Sequence, residues 1–183
     1  MPQVPKGLFT FTFACTLLLA ASAAGCTQSF QAASVQDQAS ASEIEIFMGE
    51  YFFQMEGRAR GASVELEAGS KYEMEFINMG SEIHEVVIGR DLLMENGQPT
   101  GYRKSLLDGA KVEIEGTTVV GDKVRKFEVA AGGLEELELE SGVILEIEFT
   151  VPTDKTGEWE MACFVPGHYQ QGMHIPLLVK GQT

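Results

Sequence analysis

The chain has 183 residues, with 13 Lys and Arg against 27 Asp and Glu, a formal charge of −14 and 44% hydrophobic residues. That balance argues against nucleic-acid binding, because phosphate needs a basic footprint. It leaves two readings of the acidity open: steering of a basic protein partner, or a surface that simply keeps the chain soluble.

The first segment reads as a targeting signal. Met1 to Lys6 is polar with one positive charge, and Leu8 to Ala24 is apolar or small and runs into Gly25-Cys26. This is the pattern of a secretory signal, and the apolar run is marginal in length for a membrane span. The surroundings of Cys26 are similar to a bacterial lipobox, with Ala23 where Leu is usual. Residues 1–25 are therefore expected to be a cleaved signal peptide of lipoprotein type, with Cys26 lipidated and the protein held to a membrane in the periplasm or at the cell surface. Plain cleavage and an uncleaved anchor helix remain as alternatives. Cleavage removes only Lys6, leaving 12 basic and 27 acidic residues and a net charge of −15. Residues 26–42, rich in Gln, Ala and Ser without apolar periodicity, read as a flexible tether. Residues 43–183 then form one domain with enough chain for a core.

Within that domain the pattern is of strands. Ser63 to Glu67 alternates, and Lys71 to Ile77 puts Tyr72, Met74 and Phe76 on one face with Glu73 and Glu75 on the other. Val112 to Val120 and Lys123 to Val129 are two further candidates around Gly121-Asp122. Leu134 to Glu140 alternates Leu with Glu, and Val143 to Val151 alternates again. Period-two alternation with Gly-rich turns predicts an all-β sandwich or barrel of half-buried antiparallel strands. Asp91 to Asp108 reads as a loop, because Gly97, Pro99 and Gly101 interrupt any helix begun by Leu92 to Met94.

The chemistry concentrates near the end. Of three cysteines, only Cys163 falls in the expected domain, so no disulfide forms there, and a lone thiol in an oxidising compartment needs burial or ligation. Cys163 opens the segment Cys-Phe-Val-Pro-Gly-His-Tyr-Gln-Gln-Gly-Met, which places His168 and Met173 at regular intervals behind it. Thiolate, imidazole and thioether on one loop make a soft donor set, and two His, one Cys and a weak Met suit copper cycling between Cu(I) and Cu(II). The chain has three histidines. His174 follows Met173 on an expected strand and so faces the other way. That leaves His84, before Val86-Val87-Ile88, as the second imidazole. The other methionines and Trp159 read as core or surface residues, and Met173 as packing alone is the competing reading of that position.

On these residues the chain resembles the cupredoxins, or type 1 blue copper proteins, of the azurin, auracyanin and rusticyanin-like branch. The Cys163 to Met173 loop with its Pro-Gly-His, the Phe76 to Asn78 and His84 to Ile88 segment, and the lead-in from Phe149 to Ala162 carry the resemblance. It implies a Greek-key β-sandwich with an insertion between the first ligand strand and the ligand-loop strands. It implies one copper ion, with His84, Cys163 and His168 as equatorial ligands and Met173 axial. Asn78 and Glu85 are expected beside the ligands, and the edge of His168 is expected at the surface among Pro166, Gly167 and Tyr169. Glu85 departs from the family, where Asn or Ser ties the two ligand loops together.

The function this implies is one-electron transfer between redox proteins such as cytochromes or membrane oxidoreductases with a basic docking face. No nucleic acid is expected as a partner, and a monomer is expected. Copper binding for resistance or delivery is the alternative. An enzyme is not expected, because multicopper oxidases and nitrite reductases need further copper ligands and this chain has one spare histidine.

Overall fold

The computed structural model describes residues 40–120 and 123–182. The signal segment, Cys26, most of the expected tether and the Gly121-Asp122 turn lie outside the described residues. Among the described residues twelve strands run in chain order: β1 (Ser42–Gly49), β2 (Phe52–Met55), β3 (Val64–Glu67), β4 (Lys71–Asn78), β5 (His84–Glu95), β6 (Gln98–Ser105), β7 (Val112–Val120), β8 (Lys123–Ala131), β9 (Leu137–Leu139), β10 (Ile144–Thr150), β11 (Gly157–Ala162) and β12 (His174–Lys180). One sheet has the order β2-β1-β4-β10-β7-β8, the other β3-β12-β11-β5-β6, with β9 paired to the start of β5. The order of neighbours differs from the order in sequence, as in a Greek-key sandwich.

Alternation in sequence becomes burial between the sheets. Tyr72, Met74 and Phe76 of β4 face inward and pair across with Phe149, Ile147 and Leu145 of β10. From the other sheet come Val86, Ile88, Trp159, Met161, Ile175, Leu177 and Val179, all buried. Removing such side chains from water contributes about 1.5–3 kcal/mol each. Strand β1, which carries Ile44, Ile46 and Met48 in the same period-two pattern, lies parallel to β4 from Ser42↔Tyr72 to Met48↔Asn78.

The expected loop over Asp91 to Asp108 is instead mostly a hairpin. Strand β5 continues to Glu95 and turns through Asn96 and Gly97 into β6. Both turn residues have positive φ, 51° and 79°, which is what a two-residue turn needs to match strand twist, and Asn-Gly supplies it at low cost. Pro99 is tolerated because β6 is an edge strand and a missing N–H there breaks no ladder. Gly97 and Pro99, which read as helix breakers, are the punctuation of a hairpin.

Candidate metal centre

Strand β4 ends at Asn78, and the turn that follows delivers His84 to the first position of β5. Asn78 is 1% exposed and organises this turn. Its amide donates to the carbonyls of Glu82 (2.9 Å) and Leu139 (2.8 Å), and its side-chain oxygen accepts from Gly80 N–H (2.9 Å). Position 80 must be glycine for a steric reason: a Cβ there would stand 2.8 Å from His84 Nε2. The carboxylate of Glu50 accepts from the N–H and hydroxyl of Ser81, closing the turn from the β1 side.

The second ligand segment runs from the end of β11 to the start of β12, which are antiparallel neighbours. Cys163 N–H donates to Met173 C=O (3.0 Å), and Met173 N–H to His168 C=O (3.1 Å), so the loop folds back on itself. A 3-10 turn, Tyr169–Gln171, follows His168 and ends at Gly172 with φ 98°, a left-handed conformation that glycine adopts without strain.

These two segments bring together three of the four expected ligands. His84 Nδ1 lies 3.2 Å from His168 Nδ1, and Cys163 Sγ lies 3.4 Å from the same nitrogen. The donor atoms of His84, Cys163 and His168 lie within 4.8 Å of one another. Met173 is fully buried and bonded through its backbone to both Cys163 and His168. His174 lies apart from the cluster, bonded by Nδ1 to Glu160 at 2.9 Å, as the alternation of a strand requires.

The electrostatics favour a neutral imidazole at His84 and a neutral thiol at Cys163. Burial, then the neighbouring His168, pushes the His84 pKa down. Burial pushes the Cys163 thiol up, against the backbone N–H groups of Glu85 and Val165, which favour the thiolate. His168 Nε2 meets the Glu82 carboxylate at 2.9 Å, which fixes the proton on Nε2 and leaves the Nδ1 lone pair aimed at the cluster. Two ring nitrogens and a thiol sulfur within 4.8 Å of one another are a donor set that a metal ion satisfies. Its composition fits a type 1 copper site, in which soft sulfur and imidazole are combined.

Glu85 and Glu82 complete the surroundings of the three clustered side chains. Glu85 N–H donates to Cys163 Sγ (3.3 Å), and its carboxylate accepts from Phe164 N–H (3.1 Å). The residue that departs from the family pattern therefore ties the two ligand segments together. Burial, and then Glu136, raises its pKa. His168 is not edge-exposed as the resemblance implied: the residue is 4% exposed. Glu82 covers its Nε2, and the Tyr51 ring meets it edge-on at 5.2 Å. Tyr51 holds a left-handed backbone, φ 67°, a conformation that costs a non-glycine residue on the order of 1 kcal/mol. Glu82, Tyr51, Tyr102 and Glu160 carry no motif and were not singled out in the sequence.

Neither a protein-family model nor a curated protein matches the chain. Among solved structures, a multicopper oxidase from Campylobacter jejuni matches at TM-score 0.53 and 16% identity, over 80% of this chain and 31% of the oxidase. This chain thus spans under a third of that protein. Auracyanin from Roseiflexus castenholzii is 19% identical over 77% of this chain and 99% of its own length, at TM-score 0.45. Rusticyanin from Thiobacillus ferrooxidans is 17% identical over 77% of this chain and 79% of its own, at TM-score 0.43. The chain has a cupredoxin-like β-sandwich fold, and it gathers a Cys, two His and a Met in the manner of a type 1 copper site.

Proposed function

We propose that this chain binds one copper ion through His84, Cys163, His168 and Met173 and serves as a one-electron carrier outside the cytoplasm. The observation that carries the reading is the convergence of two Nδ1 atoms and one thiol sulfur in a buried cluster. Bound copper would supply a Cu(I)/Cu(II) couple. The protein's part is to hold the donors still. Glu85 fixes the sulfur, Glu82 fixes the His168 tautomer, and Asn78 fixes the turn before His84, so that little has to move when the charge changes.

The oxidase that shares the fold is described as a metallo-oxidase. Further copper sites of that kind need further histidines, and this chain has only His174 to spare. Delivery of copper is less supported than retention, because His84 and Cys163 are 0% exposed and His168 is 4% exposed.

The partner reading is a redox protein with a basic docking face. Glu82, and the half-buried Glu85 with exposed Glu136 and Glu138, place negative charge around the ligand segments, which steers positive surfaces at low salt. A lipid on Cys26 would keep the carrier beside membrane redox complexes.

Copper reconstitution of the full chain tests the centre. The expected result is an intense thiolate-to-copper band that disappears in Cys163→Ser, with reversible one-electron reduction and slow release to a chelator. A colourless copper-loaded protein overturns the site, and ready surrender of the copper overturns the carrier role.

A further inference from the structure

Each residue that follows a ligand of the C-terminal segment points away from the cluster, and those residues are Phe164, Tyr169 and His174. Their rings form one continuous stack. Phe164 and Tyr169 are 5.4 Å apart at 8°, and Tyr169 and His174 are 4.4 Å apart at 13°. Tyr102, from the β5–β6 hairpin, closes the stack edge-on against Phe164 at 5.1 Å. Glu160 pins all of it. One carboxylate oxygen accepts from the Tyr102 and Tyr169 hydroxyls, and the other meets His174 Nδ1 at 2.9 Å.

We propose that this ring stack is an electron route of the metal centre, entered at the Cys163–Phe164 and His168–Tyr169 bonds and ending at the His174 imidazole on the outer face of the β11–β12 sheet. The inference rests on the copper reading above. Electronic coupling falls off more slowly through covalent bonds and touching atoms than across gaps. Here every step from ligand to surface is a bond or a ring contact. Exposure decides where the route opens: the His168 side chain is 5% exposed and covered by Glu82, whereas the His174 side chain is 37% exposed. The accessible imidazole is His174. In each transfer an external one-electron donor is oxidised and Cu(II) becomes Cu(I), or the reverse. No bond forms or breaks, and the rings serve as a bridge without being oxidised themselves.

The chain's three histidines make the test direct. Pentaammineruthenium attaches to exposed imidazoles, so the metal-free chain should take up one ruthenium, at His174, by mass spectrometry. Labelling at His168 would overturn the claim that this edge is covered. In the labelled copper protein, photogenerated Ru(II) passes one electron to Cu(II). Tyr169→Leu and, separately, Phe164→Leu keep apolar bulk but open a gap in the contact chain, so the rate should fall several-fold with the visible band and reduction potential unchanged. Rates within twofold of the parent in both variants would overturn the route and leave the Met173 backbone as the path. A rate loss that comes with a shifted band in both would overturn it too, making the stack a support for the ligand loop. If the parent shows no thiolate band at all, the copper reading fails first and the route falls with it.

Discussion

The Glu82 carboxylate lies 2.9 Å from His168 Nε2, on the opposite side of the imidazole from the nitrogen that faces Cys163 and His84. A carboxylate in that place selects which nitrogen of the ring carries the proton. In the metal-free chain, the ¹⁵N resonances of His168 should report the proton on Nε2. Glu82→Ala should give a mixture of tautomers and weaken copper binding by about 10–100-fold in chelator competition. Unchanged resonances would mean that the contact does not set the tautomer.

Glu85 contributes two bonds from one residue, a backbone donor to Cys163 and a carboxylate acceptor for Phe164. Only the second depends on its side chain. Glu85→Ala leaves the Phe164 N–H without an acceptor, which costs about 1–3 kcal/mol if water cannot replace it, and should speed copper loss. Glu85→Gln keeps an acceptor oxygen and should recover most of both. Urea denaturation and chelator kinetics on the two variants read this out.

Asn78 satisfies three backbone groups at once, two carbonyls and one N–H. Asn78→Leu removes the partner of all three, and two of these bonds, to Leu139 C=O and from Gly80 N–H, are buried. At about 1 kcal/mol or more per unsatisfied buried group, the chain should lose at least about 2 kcal/mol by equilibrium unfolding. Gly80→Ala should act locally, because the added carbon meets His84 Nε2 at 2.8 Å. It should lower copper affinity while leaving the unfolding midpoint of the metal-free chain nearer the parent's.

Acid should loosen the same turn through Glu50. Its bonds to Ser81 hold the carboxyl at about 2, down from 4.5. A group whose pKa is depressed on folding stabilises the fold above its unfolded pKa, and this contribution is lost as pH falls through the folded value. Stability measured in urea should therefore fall between about pH 4.5 and pH 2. Glu50→Gln should be less stable than the parent at pH 6 and should show a shallower loss over that window. Parallel curves for the two proteins would remove Glu50 from the account.

Much of this was readable from residue order, and the exceptions have physical causes. The loop motif is local, so Cys163, His168 and Met173 could be seen as one unit. His84 was found because the chain has so few histidines. Alternation in β4 and β10 is strong because one face of each is core. Ser42 to Gly49 is not among the strands expected from the sequence, although the alternation is there, and the parallel pairing of β1 with β4 is a long-range choice that no local pattern encodes. In the β5–β6 hairpin, Asn96-Gly97 is a turn signal, but Pro99 and Gly101 close behind it resemble an interruption. Glu82 and Glu160 were invisible for a different reason. A carboxylate on the outer face of a strand or in a turn is normally a solvated charge. What sets these two apart is a histidine or tyrosine brought to them from 9 to 86 positions away in the chain.

The parallel register of β1 against β4 has a consequence for orientation. Met48 sits opposite Asn78, at the ligand end of the sandwich, while Ser42 sits opposite Tyr72. Six residue steps along a strand amount to about 20 Å. The chain therefore enters this domain at the pole remote from the cluster. A label or partner attached at Ser42 would therefore stand a strand's length away from the ligand segments.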